Sequence, residues 1–125
     1  MTLTVLQPSA PGARAIRAAL LTVVVRTGRT RTVVVLKGEA DVSVTPVLSD
    51  ALSRASALGV GDVVIDLGEL EFIDCASCRA LAVGRQLLDR QGRKMTFRSP
   101  SRLVARVLEV FELSDRIEAR NEGHT

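Results

Sequence analysis

Residues 72–79 read Phe-Ile-Asp-Cys-Ala-Ser-Cys-Arg and join a predicted strand to a predicted helix. The apolar run at residues 63–67 precedes them and is typical of a strand buried on both faces. Residues 80–84 follow and indicate the beginning of a helix. A carboxylate, two thiols and a hydroxyl therefore lie within five residues at a helix N-terminus, where free N–H groups favour anions and thiolates. We expect this segment to carry the function.

The elements before this segment follow from β-branched runs and from helix-start signals. Residues 21–26 and 32–37 predict two strands, and residues 27–31 predict the turn of a hairpin between them. The next element is a helix, for which the sequence predicts Thr45 as the N-cap and Pro46 at the first helical position.

The elements after the segment complete an α/β pattern. Residues 94–98 predict a short strand, the pair Ser99-Pro100 predicts the beginning of a last helix, and residues 113–117 predict a short final element. The order β-β-α-β-α-β-α requires a mixed sheet of four to five strands, parallel in its later part, with helices packed on it.

The chain has the length of one domain, with a terminal segment on each side. Residues 1–19 contain a Pro- and Gly-rich stretch and predict a flexible arm, although residues 1–6 also fit an edge strand. Residues 20–119 are expected to form the domain, and residues 120–125 a polar tail.

Composition and charge narrow the class of protein. The net charge is +3, but the arginines are spread along the chain and interleaved with acidic residues, and the chain has only three aromatic residues. Both features disfavour nucleic acid as a partner. No apolar run approaches the roughly 18 residues of a membrane helix. We therefore expect a cytoplasmic protein that binds no membrane and whose two cysteines are reduced.

The sequence offers little for catalysis or metal binding. His124 is the single histidine and lies in the predicted tail, so neither a Ser-His-Asp triad nor a four-ligand zinc site is expected. No Gly-rich phosphate loop is present. We expect no enzymatic activity, no metal and no cofactor.

Cys75 and Cys78 form a C-x-x-C motif, which supports an alternative function. At a helix N-terminus this spacing lowers a thiol pKa and favours dithiol exchange, so a thiol redox protein or a redox-sensitive switch is the rival hypothesis. The preceding strand is expected to end near Leu67, which leaves a linker of several residues before Cys75 and disfavours a thioredoxin-like reductase. Cys78 also fits a small buried apolar position.

Short motifs occur in a distinctive order between about residues 21 and 117. They are Gly38-Glu39-Ala40-Asp41, Pro46-Val47-Leu48, Ala51-Leu52, Val64-Ile65-Asp66-Leu67, Leu70-Glu71-Phe72-Ile73-Asp74, Arg90-Gln91-Gly92, and Val107 and Leu108 with Phe111 and Leu113. Together they resemble the STAS domain of bacterial anti-sigma factor antagonists.

This resemblance implies a regulatory binding domain. Unphosphorylated members of the family bind an anti-sigma factor that is also a serine kinase, which releases the sigma factor. The kinase phosphorylates a serine at the beginning of the helix after the third strand, and a phosphatase restores binding. The partners implied are thus an anti-sigma factor and a phosphatase, and a homodimer is left open.

The chain departs from the family at the phosphorylation site. The family pattern is Asp-Ser-Ser-Gly-Leu, and its second serine is the acceptor. Residue by residue, Asp74 matches the aspartate, Cys75 the first serine, Ala76 the acceptor, Ser77 the glycine and Cys78 the leucine. The chain therefore lacks a hydroxyl at the expected position.

Two hypotheses follow from this departure. Ser77 is a candidate phosphoacceptor, although one helical step turns a side chain by about 100°. Alternatively the protein binds its partner constitutively and is controlled elsewhere, which is the hypothesis we favour. The Ser77 hydroxyl also fits a local role, in which it bonds a free backbone N–H at the helix start.

The resemblance also implies which residues contact the partner, although some of them fit plainer roles. Asp74 fits a helix N-cap, and the loop before the first helix fits a solvated turn. Phe72 and Leu81 are expected to lie in the core. The partner-binding residues implied are Glu39, Asp41, Asp74, Cys75, Ala76 and Ser77.

Overall fold

The computed structural model describes Thr2–Thr4, residues 21–58 and residues 60–118. The predicted tail at 120–125 and the predicted arm at 1–19, apart from Thr2–Thr4, lie outside the described residues. None of the helices within the described ranges combines the length and apolar character that a membrane crossing requires.

The described residues form five strands and three α-helices, and from Leu21 onward their order is the predicted one. The strands are β1 (Thr2–Thr4), β2 (Leu21–Thr27), β3 (Arg31–Ala40), β4 (Asp62–Ile73) and β5 (Met95–Arg98). The helices are α1 (Thr45–Leu58), α2 (Cys75–Arg90) and α3 (Arg102–Val110). Short 3₁₀ helices precede α1 at Val42–Val44 and follow α3 at Ser114–Arg116.

The sheet is mixed, and its strands follow one another in space as they do in sequence. β1 and β3 each pair antiparallel with β2, while β4 pairs parallel with both β3 and β5. Parallel neighbours need crossover connections, and α1 and α2 supply them. The expected α/β class with a mixed sheet is confirmed.

One hydrophobic core joins the sheet to the helices. Val34 of β3 and Ile65 of β4 are fully buried in it, and they pack in one cluster with Leu48 of α1, Leu81 of α2 and Leu108 of α3. Since two right-handed crossovers that proceed in the same direction place their helices on the same face of a sheet, α1 and α2 lie side by side.

β4 extends well beyond the expected end at Leu67, so that prediction is wrong. The pairing with β3 continues to Ile73, and at two points β4 contains one residue more than β3. Buried side chains in this half of the strand therefore recur every third residue, at Leu67, Leu70 and Ile73, instead of every second. A search for strict alternation ends the strand too early for this reason.

Two glycines with positive φ provide a matched test of the turn before β4. An added Cβ at Gly61 would lie 1.8 Å from the carbonyl oxygen of Thr30, while one at Gly92 would meet nothing within 4 Å. Gly92→Ala should lower the free energy of unfolding by about 1 kcal/mol, the cost of the backbone conformation alone. Gly61→Ala should lower the free energy of unfolding several times more, because the backbone at Thr30 must also move to make room for the methyl group. Urea denaturation of both variants measures this, and equal losses would contradict it.

Candidate functional site

The ends of β3 and β4 bring two helix starts together. Ala40 is the register partner of Ile73, and the N–H of Asp74 donates to the carbonyl of Ala40 at 3.0 Å. Because the strands are parallel, both chains leave the sheet at the same edge. The chain leaves β3 for the 3₁₀ turn and α1, and it leaves β4 directly for α2. The two connections therefore form one surface.

An aspartate caps the 3₁₀ turn that leads into α1. The carboxylate of Asp41 accepts from the N–H of Ser43 at 2.9 Å. Thr45 has right-handed helical dihedral angles and its hydroxyl donates to the carbonyl of Asp41 at 3.3 Å. The prediction of Thr45 as the N-cap is therefore wrong, because the helical segment begins one turn earlier and Asp41 takes that role.

Asp74 is the N-cap of α2. Its backbone is extended, and its carboxylate accepts from the N–H of Ser77 at 2.9 Å. A cap of this kind is worth about 1 kcal/mol, since it satisfies a backbone donor that the helix leaves free. The N-cap interpretation of Asp74 is confirmed, and the cap fixes the direction in which the following side chains point.

The first turn of α2 separates the four residues after the cap into two pairs. Cys75 is exposed and Ala76 is half-buried, while Ser77 and Cys78 are fully buried. The separation follows from the turn of about 100° per residue. Cys75 and Ala76 therefore belong to the surface, and the next two side chains face the core.

Ser77 does not take the local role expected for its hydroxyl. The backbone N–H of Ser77 donates to the carboxylate of Asp74. The side-chain Oγ of Ser77 has no hydrogen-bond partner among the described residues. Its exposure is 0%, so a kinase could reach the hydroxyl only after the helix start had rearranged. Phosphorylation of Ser77 stays a prediction, and this burial weighs against it.

The thiol pair has one exposed and one buried member. Burial, assisted by the nearby Cys75 and Asp74, raises the pKa of the Cys78 thiol to about 12. The C-x-x-C expectation of a lowered thiol pKa is wrong for Cys78, because desolvation opposes the thiolate. The linker expected before Cys75 is also absent, since a single residue separates β4 from α2. In the described part of the chain, no three His, Cys, Asp or Glu residues are grouped to hold a metal ion.

Glu39 lies apart from the other candidate residues. It is the register partner of Phe72, and such pairs share a face of the sheet, here the face away from the core residues Ala40 and Ile73. Phe72 is 42% exposed, so its assignment to the core is wrong, because the extra residue in β4 turns Ile73 inward in its place. The assignment of Leu81 to the core is confirmed.

Three exposed apolar side chains were not among the predicted site residues, one of them at a helix start and two further along α2. Val42 is exposed in the 3₁₀ turn, and Val83 and Leu87 are exposed on α2. With Ala76, the two α2 residues recur at a spacing of seven and four, which is the spacing of one helix face. This spacing is visible in the sequence. The buried residues of α2 recur at a similar spacing, so the sequence alone does not distinguish the exposed apolar face from the buried one.

A family model described as the MlaB STAS domain matches residues 23–118. The match covers most of the chain. The chain belongs to the STAS domain family.

Solved structures show the same fold at low sequence identity. The unphosphorylated anti-sigma factor antagonist SpoIIAA is 20% identical, with a TM-score of 0.70, and the match covers 82% of this chain and 91% of that one. An anti-sigma factor antagonist from Mycobacterium paratuberculosis is 21% identical, with a TM-score of 0.72 and coverage of 82% and 89%. The phosphorylated Bacillus SpoIIAA is 18% identical, with a TM-score of 0.65 and coverage of 82% and 95%. No curated protein matches the chain.

The different surroundings of the two cysteines predict different reactivities. In the native protein at mildly alkaline pH, a disulfide reagent should modify Cys75 rapidly and leave Cys78 unmodified, because the buried thiol is protonated and shielded. The Cys75→Ser variant should then show no rapid reaction until it is denatured. Spectrophotometric thiol titration measures both, and a Cys78 that reacted as fast in the native as in the denatured protein would contradict this account.

Proposed function

We propose that this chain is a cytoplasmic anti-sigma factor antagonist. It binds an anti-sigma factor of the serine kinase type and so releases a sigma factor. It is a binding domain without catalytic activity of its own. Membership of the STAS family and the likeness to solved antagonists support this function.

The binding surface in this proposal is the paired helix starts. Asp41 and Asp74 hold the two connections in place through their caps, while Cys75 and Ala76 face outward. Val42 adds an exposed apolar side chain beside them. A small apolar surface framed by carboxylates suits a protein partner, since the core of an interface is depleted in charge and its rim is polar.

One observation carries the regulatory part of the proposal. Ala76 occupies the outward position at which the family resemblance places the acceptor serine, and the hydroxyl of the neighbouring Ser77 is buried. A phosphate adds roughly −1.5 to −2 charges, which in the family ends the complex. Without an accessible hydroxyl at the start of α2, this chain keeps a neutral methyl group at the contact. It therefore binds constitutively, and no phosphatase is needed to restore binding.

A carboxylate at position 76 should imitate the missing phosphate. Ala76→Asp should weaken binding to the purified kinase-type anti-sigma factor by about tenfold or more, because a charge would replace a methyl group in the contact. The fold should not suffer, since a negative charge in the first turn of a helix is favourable. Isothermal titration calorimetry measures the affinity, with Gln86→Asp on the same helix as the control. Unchanged affinity would remove Ala76 from the proposed surface.

A hydroxyl at position 76 should restore the phosphoswitch. Incubated with the kinase-type anti-sigma factor and ATP, Ala76→Ser should gain one phosphoryl group, and the wild-type protein none. Intact-mass spectrometry with site mapping distinguishes the outcomes, and the double variant Ala76→Ser/Ser77→Ala serves as the control. Phosphorylation of wild-type protein at Ser77 would overturn the constitutive mechanism.

A further inference from the structure

A groove runs between α1 and α2, away from the core. It encloses about 290 Å³ and begins at Thr45 and Ala76, in the proposed binding surface. From there it extends along both helices as far as Leu87. The distance from Ala76 to Leu87 corresponds to about 16 Å of helix, or roughly three turns.

The α2 side of the groove is one continuous apolar stripe. Ala76, Ala80, Val83 and Leu87 line it at helical spacing. Val83 is 57% exposed and Leu87 is 39% exposed, although both lie beside a well-packed core. Exposed apolar side chains scattered singly need no explanation, but a stripe that lines a concavity is typical of an interaction site.

The floor of the groove depends on the absence of a side chain at Gly84. An added Cβ there would lie 3.1 Å from Cε of Met95 and 3.3 Å from Cδ1 of Leu52. Glycine is unfavourable within a helix by about 1 kcal/mol relative to alanine. Here it allows α2 to pack closely on Leu52 of α1 and Met95 of β5, and no side chain of residue 84 occupies the groove.

The charge in the groove is positive and comes from one arginine. Arg79 is the groove's one charged lining residue among the described residues, and no carboxylate there pairs with it. By contrast, Arg54 pairs with Asp50 at 2.8 Å, and Arg85 pairs with Asp115 at 3.2 Å. An occupant that buries Arg79 must therefore supply a carboxylate, since an unpaired buried charge is costly.

The sequence disfavours occupants from the chain itself. Residues 1–20 contain two arginines and no acidic residue, so they would add like charge beside Arg79. Residues 119–125 contain no large apolar side chain to cover Val83 and Leu87. A second copy on a two-fold axis along the groove would bring two Arg79 side chains into one interface.

We propose that the groove receives an amphipathic helix of the anti-sigma factor. The apolar face of that helix packs on Val83 and Leu87, and one of its carboxylates pairs with Arg79. A groove walled by two helices, with about three turns of α2 along one side, suits a helix laid into it. This inference rests on the proposed function and extends its surface from Ala76 along α2.

Three variants test the groove against the purified kinase-type anti-sigma factor. Val83→Asp and Leu87→Asp should each weaken binding by about tenfold or more, because they place a charge against the apolar face of the incoming helix. Arg79→Glu should weaken it similarly, and exchange of the paired acidic residue of the partner for arginine should restore it. The matched control is Val110→Asp, since Val110 is 75% exposed on α3 outside the groove and its variant should bind like the wild type. Thermal unfolding confirms that each variant folds.

The outcomes separate this inference from the proposed function. If Ala76→Asp weakens binding and the three groove variants do not, the groove is not part of the interface and the inference fails, while the proposed function stands. If wild-type protein binds no anti-sigma factor of this type, both fail. If wild-type protein sediments as a dimer and Val83→Asp as a monomer, the occupant is a second copy and the inference is overturned.

Discussion

The parallel pairing of β3 with β4 determines where the proposed binding surface forms. It continues through two irregularities of register and ends with the hydrogen bond from Asp74 to Ala40. Because both strands end at the same edge, the start of α2 and the turn that leads into α1 lie together. Asp41 and Asp74 then cap the two starts in the same way, through a carboxylate and a backbone N–H. Loss of this pairing would separate every residue of the proposed surface.

The opposite end of α1 is fixed by a different interaction. The guanidinium of Arg93 donates to the carbonyl of Ser56 at 2.8 Å and to that of Gly61 at 2.6 Å. Carbonyl groups at the end of a helix have no N–H donor within the helix. The side chain of Arg93 supplies a donor to the end of α1 and also bonds the loop before β4. At Gly84, α2 packs closely on Leu52 of α1 and Met95 of β5.

The sequence predicted the fold well, because long β-branched runs and helix-start signals do not depend on distant contacts. It predicted the end of β4 and the position of Phe72 wrongly, because extra residues in a strand change which side chains turn inward. Thr45 was mistaken for a cap because a preceding 3₁₀ turn leaves no periodic signal. The burial of Ser77 and the raised pKa of Cys78 depend on the packing of α2 against the sheet. The resemblance implied that Ala76 contacts the partner, but it gave no indication of the groove.

The central claim is that the partner binds at the paired helix starts and along the α1–α2 groove. Nuclear magnetic resonance of methyl-labelled protein, titrated with the unlabelled anti-sigma factor, tests it most directly. The account predicts that the methyl signals of Val42, Ala76, Val83 and Leu87 shift or broaden, while those of Leu103 and Val110 on α3 stay unchanged. Changes confined to Leu103 and Val110 would contradict it, since they would place the partner on a different face of the domain.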